Sequence, residues 1–153
     1  MTEVLFYHLQ TRTLEQALPE LLQKCVERGW KTVVQTGSTE RRDALDAHLW
    51  TFSEESFLPH GTMRDADPAD LAILVTADPA EPGPVDPPFT VRFLVDRAAA
   101  PDLAGLVRAV FVFDGNDDEA VIEARANWKA VKAAGHDATY WVQDDRGRWV
   151  KKA

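Results

Sequence analysis

Val110 to Trp141 reads VFVFDGNDDEAVIEARANWKAVKAAGHDATYW, and this stretch decides the fold. The β-branched and aromatic run Val110–Phe113 breaks at Asp114-Gly115-Asn116. An acidic cluster, Asp117-Asp118-Glu119, then opens a long helical pattern that Gly135 closes, and a second β-type run follows from Thr139. Strand, helix and strand in this order predict a parallel crossover unit. On a helical wheel Ala120, Val121, Ala124, Trp128 and Val131 share one apolar arc of about 100°. Arg125, Lys129 and Lys132 fall beside it on a stripe about 60° wide, with Trp128 on the seam. Such a stripe suits an acidic peptide with an apolar end. It also suits the C-terminal half of any helix, where cations complement the macrodipole, and the wheel alone leaves both readings open.

The rest of the chain repeats the alternation. Val4 to Leu9 predicts a short buried strand. Thr13 with Gln16 three residues on forms a capping-box pattern, and Leu14, Leu18, Leu21, Leu22 and Cys25 follow at helical spacing to Gly29. Pro19 within this pattern removes a hydrogen bond and is expected to bend the helix. Lys31 to Thr36 is a second strand, Gln35 to Thr39 a turn capped by Ser38 or Thr39, and Glu40 to Trp50 a second helix. Trp50 to Gly61 is an aromatic-rich connection, which either packs inward or forms a contact surface. Leu71 to Thr76, Phe89 to Asp96 and Arg108 to Phe113 are further strands. Between the first two lies a loop with five prolines from Pro79 to Pro88, and a short helical turn is expected around Pro101 to Leu106. Thr139–Val142 and Arg148–Val150 flank a turn containing Gly147, a hairpin pattern. The expectation is a single α/β domain over residues 1–153, its mostly parallel sheet flanked by helices on both faces and edged by an antiparallel C-terminal hairpin.

Composition narrows the function classes. The 153 residues are 45% hydrophobic and 27% charged, as in an ordinary soluble domain of one core. No apolar run approaches the ~20 residues of a membrane span, and MTEVLFYHLQ lacks a signal-peptide pattern. The single cysteine, Cys25, fits a reducing compartment, so a cytoplasmic protein is expected. A net charge of −8 opposes broad nucleic-acid binding and favours a protein or small-ligand partner.

Signals for chemistry are sparse. His8, His48, His60 and His136 stand singly, without metal-ligand spacing. Neither a nucleophile elbow nor a carboxylate pair emerges. The Gln35–Thr39 turn has the strand–turn–helix layout of a phosphate loop without its glycines and lysine. No cofactor, metal or catalytic residue is expected. A nucleotide-dependent enzyme using that turn remains the alternative function, and direct DNA binding a weaker one.

Several blocks, taken together, resemble a known family. They are F-Y-H-L at Phe6–Leu9, L-x-x-A-L-P-x-L-L-x-K at Leu14–Lys24, L-D-x-x-L-W at Leu45–Trp50 and E-S-F-L-P-H at Glu55–His60. F-D-G at Phe113–Gly115, A-R-x-x-W-K at Ala124–Lys129, and the closing Y-W and G-x-W complete the set. In this order they resemble the chi subunit family of bacterial DNA polymerase III. The resemblance implies a Rossmann-like fold and a non-catalytic clamp-loader accessory role. It further implies two partners: the acidic, aromatic-ended C-terminal tail of single-stranded-DNA-binding protein, and the psi subunit. By motif position the tail site falls on Arg125, Trp128 and Lys129, with Phe113 and Asp114 at the preceding strand end. The psi-facing surface falls on Trp50, Phe57 and Pro59. Some family members carry a further lysine one turn before the motif arginine. Here that turn offers Val121 and Ile122, which leaves Lys132 as the candidate substitute.

Overall fold

The computed structural model describes residues 2–51, 60–65 and 67–153. Among the described residues eight strands form one sheet: β1 (Glu3–Leu9), β2 (Thr32–Gln35), β3 (His60–Gly61), β4 (Ile73–Thr76), β5 (Val91–Leu94), β6 (Arg108–Asp114), β7 (Asp137–Gln143) and β8 (Trp149–Lys151). Their order is β3-β4-β2-β5-β6-β1-β7-β8, parallel throughout except for the β7–β8 hairpin. The expected mostly parallel sheet with an antiparallel terminal hairpin is therefore what the chain forms. The helices are α1 (Leu14–Glu27), α2 (Thr39–Thr51) and α3 (Asp118–Ala133).

Side-chain alternation along the strands sorts the core into two layers. Leu5, Leu9, Val34, Phe93, Val110 and Val112 pack beneath α1 and α2, against Leu18, Leu22, Leu45 and Leu49. Val4, Phe6, Leu94, Ala109 and Phe111 face the other way, toward Val131 and Trp128 of α3 and Leu103 of the β5–β6 connection. Alternate residues of one strand thus serve opposite helix layers, as a sheet covered on both faces requires.

Local chemistry explains where the helices start and how Pro19 is tolerated. Thr13 and Gln16 form the expected capping box. Ser38 caps α2 by accepting from Arg41 N at 3.2 Å. Pro19 cannot donate to the Glu15 carbonyl, and His48 of α2 supplies the missing bond, its Nε2 2.7 Å from Glu15 O. Gly135, at φ +83°, ends α3 in a Schellman arrangement: its N–H reaches Lys132 O, and His136 N reaches Val131 O.

Between β4 and β5 runs the proline-rich loop, which lies beside Val33 and Arg92 of the sheet. Arg92, 6% exposed, fixes it from below. Its guanidinium donates to Gln35 Oε1 (2.9 Å), Glu81 O (2.9 Å) and the Asp78 and Pro79 carbonyls (3.2 Å each). Burial lowers the Arg92 pKa, with Asp78 and Glu81 opposing.

Two local expectations are corrected. Pro101 to Leu106 forms no helix but a single hydrogen-bonded turn about Ala104-Gly105, with Leu106 N 3.4 Å from Leu103 O. Gly105 takes φ +87°, and Thr2 donates its hydroxyl to the Leu103 and Leu106 carbonyls. The connection after Trp50 ends in a two-residue strand, β3, paired with β4.

Candidate functional site

α3 crosses strands β6, β1 and β7, which are neighbours in the sheet. Asp117 caps the helix, accepting from Glu119 N (3.0 Å) and Ala120 N (3.4 Å). The first half of α3 is neutralised from outside. Arg97 pairs with Glu119 at 3.1 Å and Glu123 at 2.6 Å, which holds Glu123 below the usual carboxylate range. The second half is not. Arg125, Lys129 and Lys132 are exposed, and among the described residues none enters a salt bridge. In a chain of net charge −8 this is a stripe of unneutralised positive charge.

Beside the stripe lies an aromatic wall. Trp128 is half-buried, edge-on to Phe6 (5.4 Å) and to Tyr140 (6.0 Å), with Lys132 Nζ 5.5 Å from its ring. Tyr140 continues the wall to Phe113 at 6.0 Å, and Phe113 meets the His8 ring at 5.1 Å. His8 Nδ1 lies 2.7 Å from the Tyr140 hydroxyl oxygen. The opposite edge of the imidazole presses on Gly115, where an added Cβ would fall 1.9 Å from Nε2. That close approach explains the glycine of F-D-G. Burial lowers the His8 pKa, Asp114 opposes the shift and Arg125 adds to it. Burial raises the Tyr140 pKa, against the pull of Arg125. The Arg125 charge therefore bears on the His8–Tyr140 pair.

Of the residues expected from sequence, Trp128 and Phe113 join one wall, and Arg125, Lys129 and Lys132 share the helix above it. Asp114 sits apart, at the carboxyl edge of the sheet, where its Oδ1 accepts from Asn116 N at 2.9 Å. His8 and Tyr140 were not among the expected site residues. Both lie inside the quoted F-Y-H-L and Y-W blocks. Strand alternation puts His8 on the face of Phe6, but only the β6-β1-β7 order brings it to Tyr140.

Asp114 also lines a cleft of about 420 Å³ at the ends of β1 and β6, whose chains leave to opposite faces. Open α/β sheets bind nucleotides at such a point. Here the lining brings Asp114 and Asp117 along with Glu15 and Asp96, which pair with Arg41, while the lining's own Arg12 and Arg97 are engaged by Glu20, Glu119 and Glu123. An acidic cleft with its arginines engaged disfavours phosphates. Among the described residues no group of three His, Cys, Asp or Glu side chains is placed to hold a metal.

The second expected surface is described only in part. Trp50 lies in the last turn of α2, 53% exposed, with its ring 4.5 Å from that of His60. His60 is buried, its Nε2 3.0 Å from Asp46 O and 3.3 Å from the Asp46 carboxylate. Phe57 and Pro59 lie outside the described residues. No described helix is long and apolar enough to cross a membrane.

Comparison with known proteins converges on one family. The family model described as "DNA polymerase III chi subunit, HolC" matches residues 1–139. A Rickettsia prowazekii (strain Madrid E) protein named "Probable DNA polymerase III subunit chi" is 30% identical over 82 residues. The match takes in 54% of this chain and 50% of the relative, so the chain spans about half the length of the curated relative it matches.

Proposed function

The chain belongs to the DNA polymerase III chi subunit family, and from that premise we propose that it is a non-catalytic replisome accessory subunit in the cytoplasm. It binds the acidic C-terminal tail of single-stranded-DNA-binding protein and links it to the clamp loader. Residues 1–153 act as one α/β unit in this role. One observation carries the reading: the unneutralised stripe of Arg125, Lys129 and Lys132 edges a half-buried aromatic wall of Trp128, Tyr140 and Phe113.

The chemistry matches an acidic peptide that ends in an aromatic residue. Arg125 takes the terminal carboxylate in a two-point pair. Lys129 and Lys132 act as point charges toward the preceding acidic residues. Each exposed pair contributes only ~0.2–1 kcal/mol, so the terminal aromatic against Trp128 and Phe113 supplies much of the affinity. The turn at Val121 and Ile122 offers no cation, and Lys132, about three turns further along α3 and beside Trp128, supplies one from the other end of the site. Trp50, with Phe57 and Pro59, forms the psi-facing surface, or that of another clamp-loader component.

The test is equilibrium binding of a fluorescent tail peptide to the Arg125→Ala and Trp128→Ala proteins. Each is expected to lose on the order of tenfold or more, equivalent to ~1.4 kcal/mol. Arg125→Ala should unfold like wild type, and Trp128→Ala, which also gives up packing against Phe6, at a lower midpoint while folded under the assay conditions. Wild-type affinity in both folded variants would refute the assignment.

A further inference from the structure

The His8–Tyr140 pair lies beside the proposed tail site, and nothing in the acidic-peptide reading uses it. We infer that Tyr140 donates its hydroxyl hydrogen to the tail's terminal carboxylate and that His8 takes up a proton as the tail binds. The inference rests on the tail-binding reading and adds a residue pair and a pH dependence to it.

The geometry gives the reason. A tyrosine hydroxyl has one hydrogen to donate and lone pairs to accept with. At 2.7 Å from His8 Nδ1, that hydrogen is either spent on the imidazole or freed from it. With Nδ1 unprotonated, Tyr140 donates to His8 and turns only lone pairs outward, which repel a carboxylate. With Nδ1 protonated, in the imidazolium or in the neutral Nδ1–H tautomer, the ring donates to the Tyr140 oxygen and the hydroxyl hydrogen turns out toward the ligand; the charge of the bound carboxylate favours the imidazolium over that tautomer. The Nε2 edge is packed against Gly115, so the ring answers a ligand through Nδ1 and Tyr140.

The charges facing His8 set the direction. Asp114, at the end of β6, favours the protonated ring, whereas Arg125 of α3 disfavours it. From β7 the group in contact is Tyr140, neutral over the working range and raised further by burial. A carboxylate paired with Arg125 cancels the opposing charge at the ring and leaves Asp114 to favour the imidazolium. Binding therefore stabilises the imidazolium, and by linkage the tail binds more tightly as pH falls through the histidine range. The free protein draws the proton from solvent and returns it when the tail leaves. If binding raises the His8 pKa by one unit, the gain is at most about tenfold.

The test is fluorescence anisotropy of a peptide with acidic residues, a terminal aromatic and a free carboxylate. It is titrated between pH 5.5 and 8.5 against wild type, Tyr140→Phe and His8→Gln. Peptide carboxylates stay ionised and lysines charged across most of that range. Wild type is expected to bind about three- to tenfold more tightly at the acid end, and both variants to lose that slope. His8 ring signals in NMR, followed with and without peptide, give a readout independent of the variants' folding. The titration midpoint should move up on binding. A flat wild-type profile, an unmoved His8 midpoint, or an unchanged slope in either folded variant overturns the inference while leaving tail binding intact. Failure of wild type to bind the peptide at any pH overturns the tail-binding reading and this inference with it.

Discussion

A proline six residues into α1 should leave a backbone acceptor without its donor, and the structure assigns that acceptor to His48. The sharpest test is a double-mutant cycle on Pro19→Ala and His48→Ala. In the native chain, His48→Ala removes a 2.7 Å bond to Glu15 O that no helix amide can replace. Leaving an acceptor unmatched costs about 1–3 kcal/mol. Glu15 is only half-buried, so water recovers part of this and about 1–1.5 kcal/mol remains. With alanine at 19, the backbone N–H restores the helical bond, and His48→Ala should cost about 0–0.5 kcal/mol. The other consequences of losing the imidazole, including a helix-propensity gain of up to ~0.7 kcal/mol, occur in both backgrounds and cancel. The cycle should thus show about 1 kcal/mol of coupling. Urea denaturation with matched m-values measures it, and the single variant, after the propensity gain, should lose about 1–6 °C in Tm. Additive effects within about 0.3 kcal/mol would refute the claim that His48 completes the α1 ladder.

Other elements carry their own tests. Gln143, 2% exposed, accepts the backbone N–H groups of Gln10, Thr11 and Arg12 on one side-chain oxygen. Gln143→Ala should therefore cost about 1.5–3 kcal/mol and speed hydrogen exchange at those amides, and unchanged exchange would contradict the role. The folded-state His8 pKa lies below its ordinary 6.5, chiefly through burial. The associated stability is present above 6.5 and is lost as pH falls through the folded value. The urea midpoint should therefore fall more steeply on acidification in wild type than in His8→Gln, and parallel curves would refute it.

How much was legible beforehand follows from which interactions are local. The run from Val110 to Trp141 announced a strand, an acid-capped helix and a glycine stop, and β6, α3 and β7 fall there. The spacing of Arg125, Trp128, Lys129 and Lys132 is likewise a property of one helix. Leu103 and Leu106 lie three apart and imitate a helical turn, but Gly105 at positive φ and the Thr2 hydroxyl bonds hold a single non-helical turn. β3 is two residues long and has no period to detect. Arg92 is a charged residue in an otherwise apolar strand, and its burial depends on carbonyls from a loop over ten residues away. The His8–Tyr140 pair depends on strand order, which β1 and β7 do not encode separately. What remained hidden was consistently the pairing of distant segments.

The central claim is that this chain meets single-stranded-DNA-binding protein through the α3 stripe and the wall beneath it. Its most direct test is isothermal titration of the wild-type chain with full-length single-stranded-DNA-binding protein and with the same protein lacking its acidic C-terminal tail. Saturable binding to the first, lost with the tail and weakened on the order of tenfold by Trp128→Ala, is the predicted result. Equal binding to both forms, or no binding to either, would contradict it.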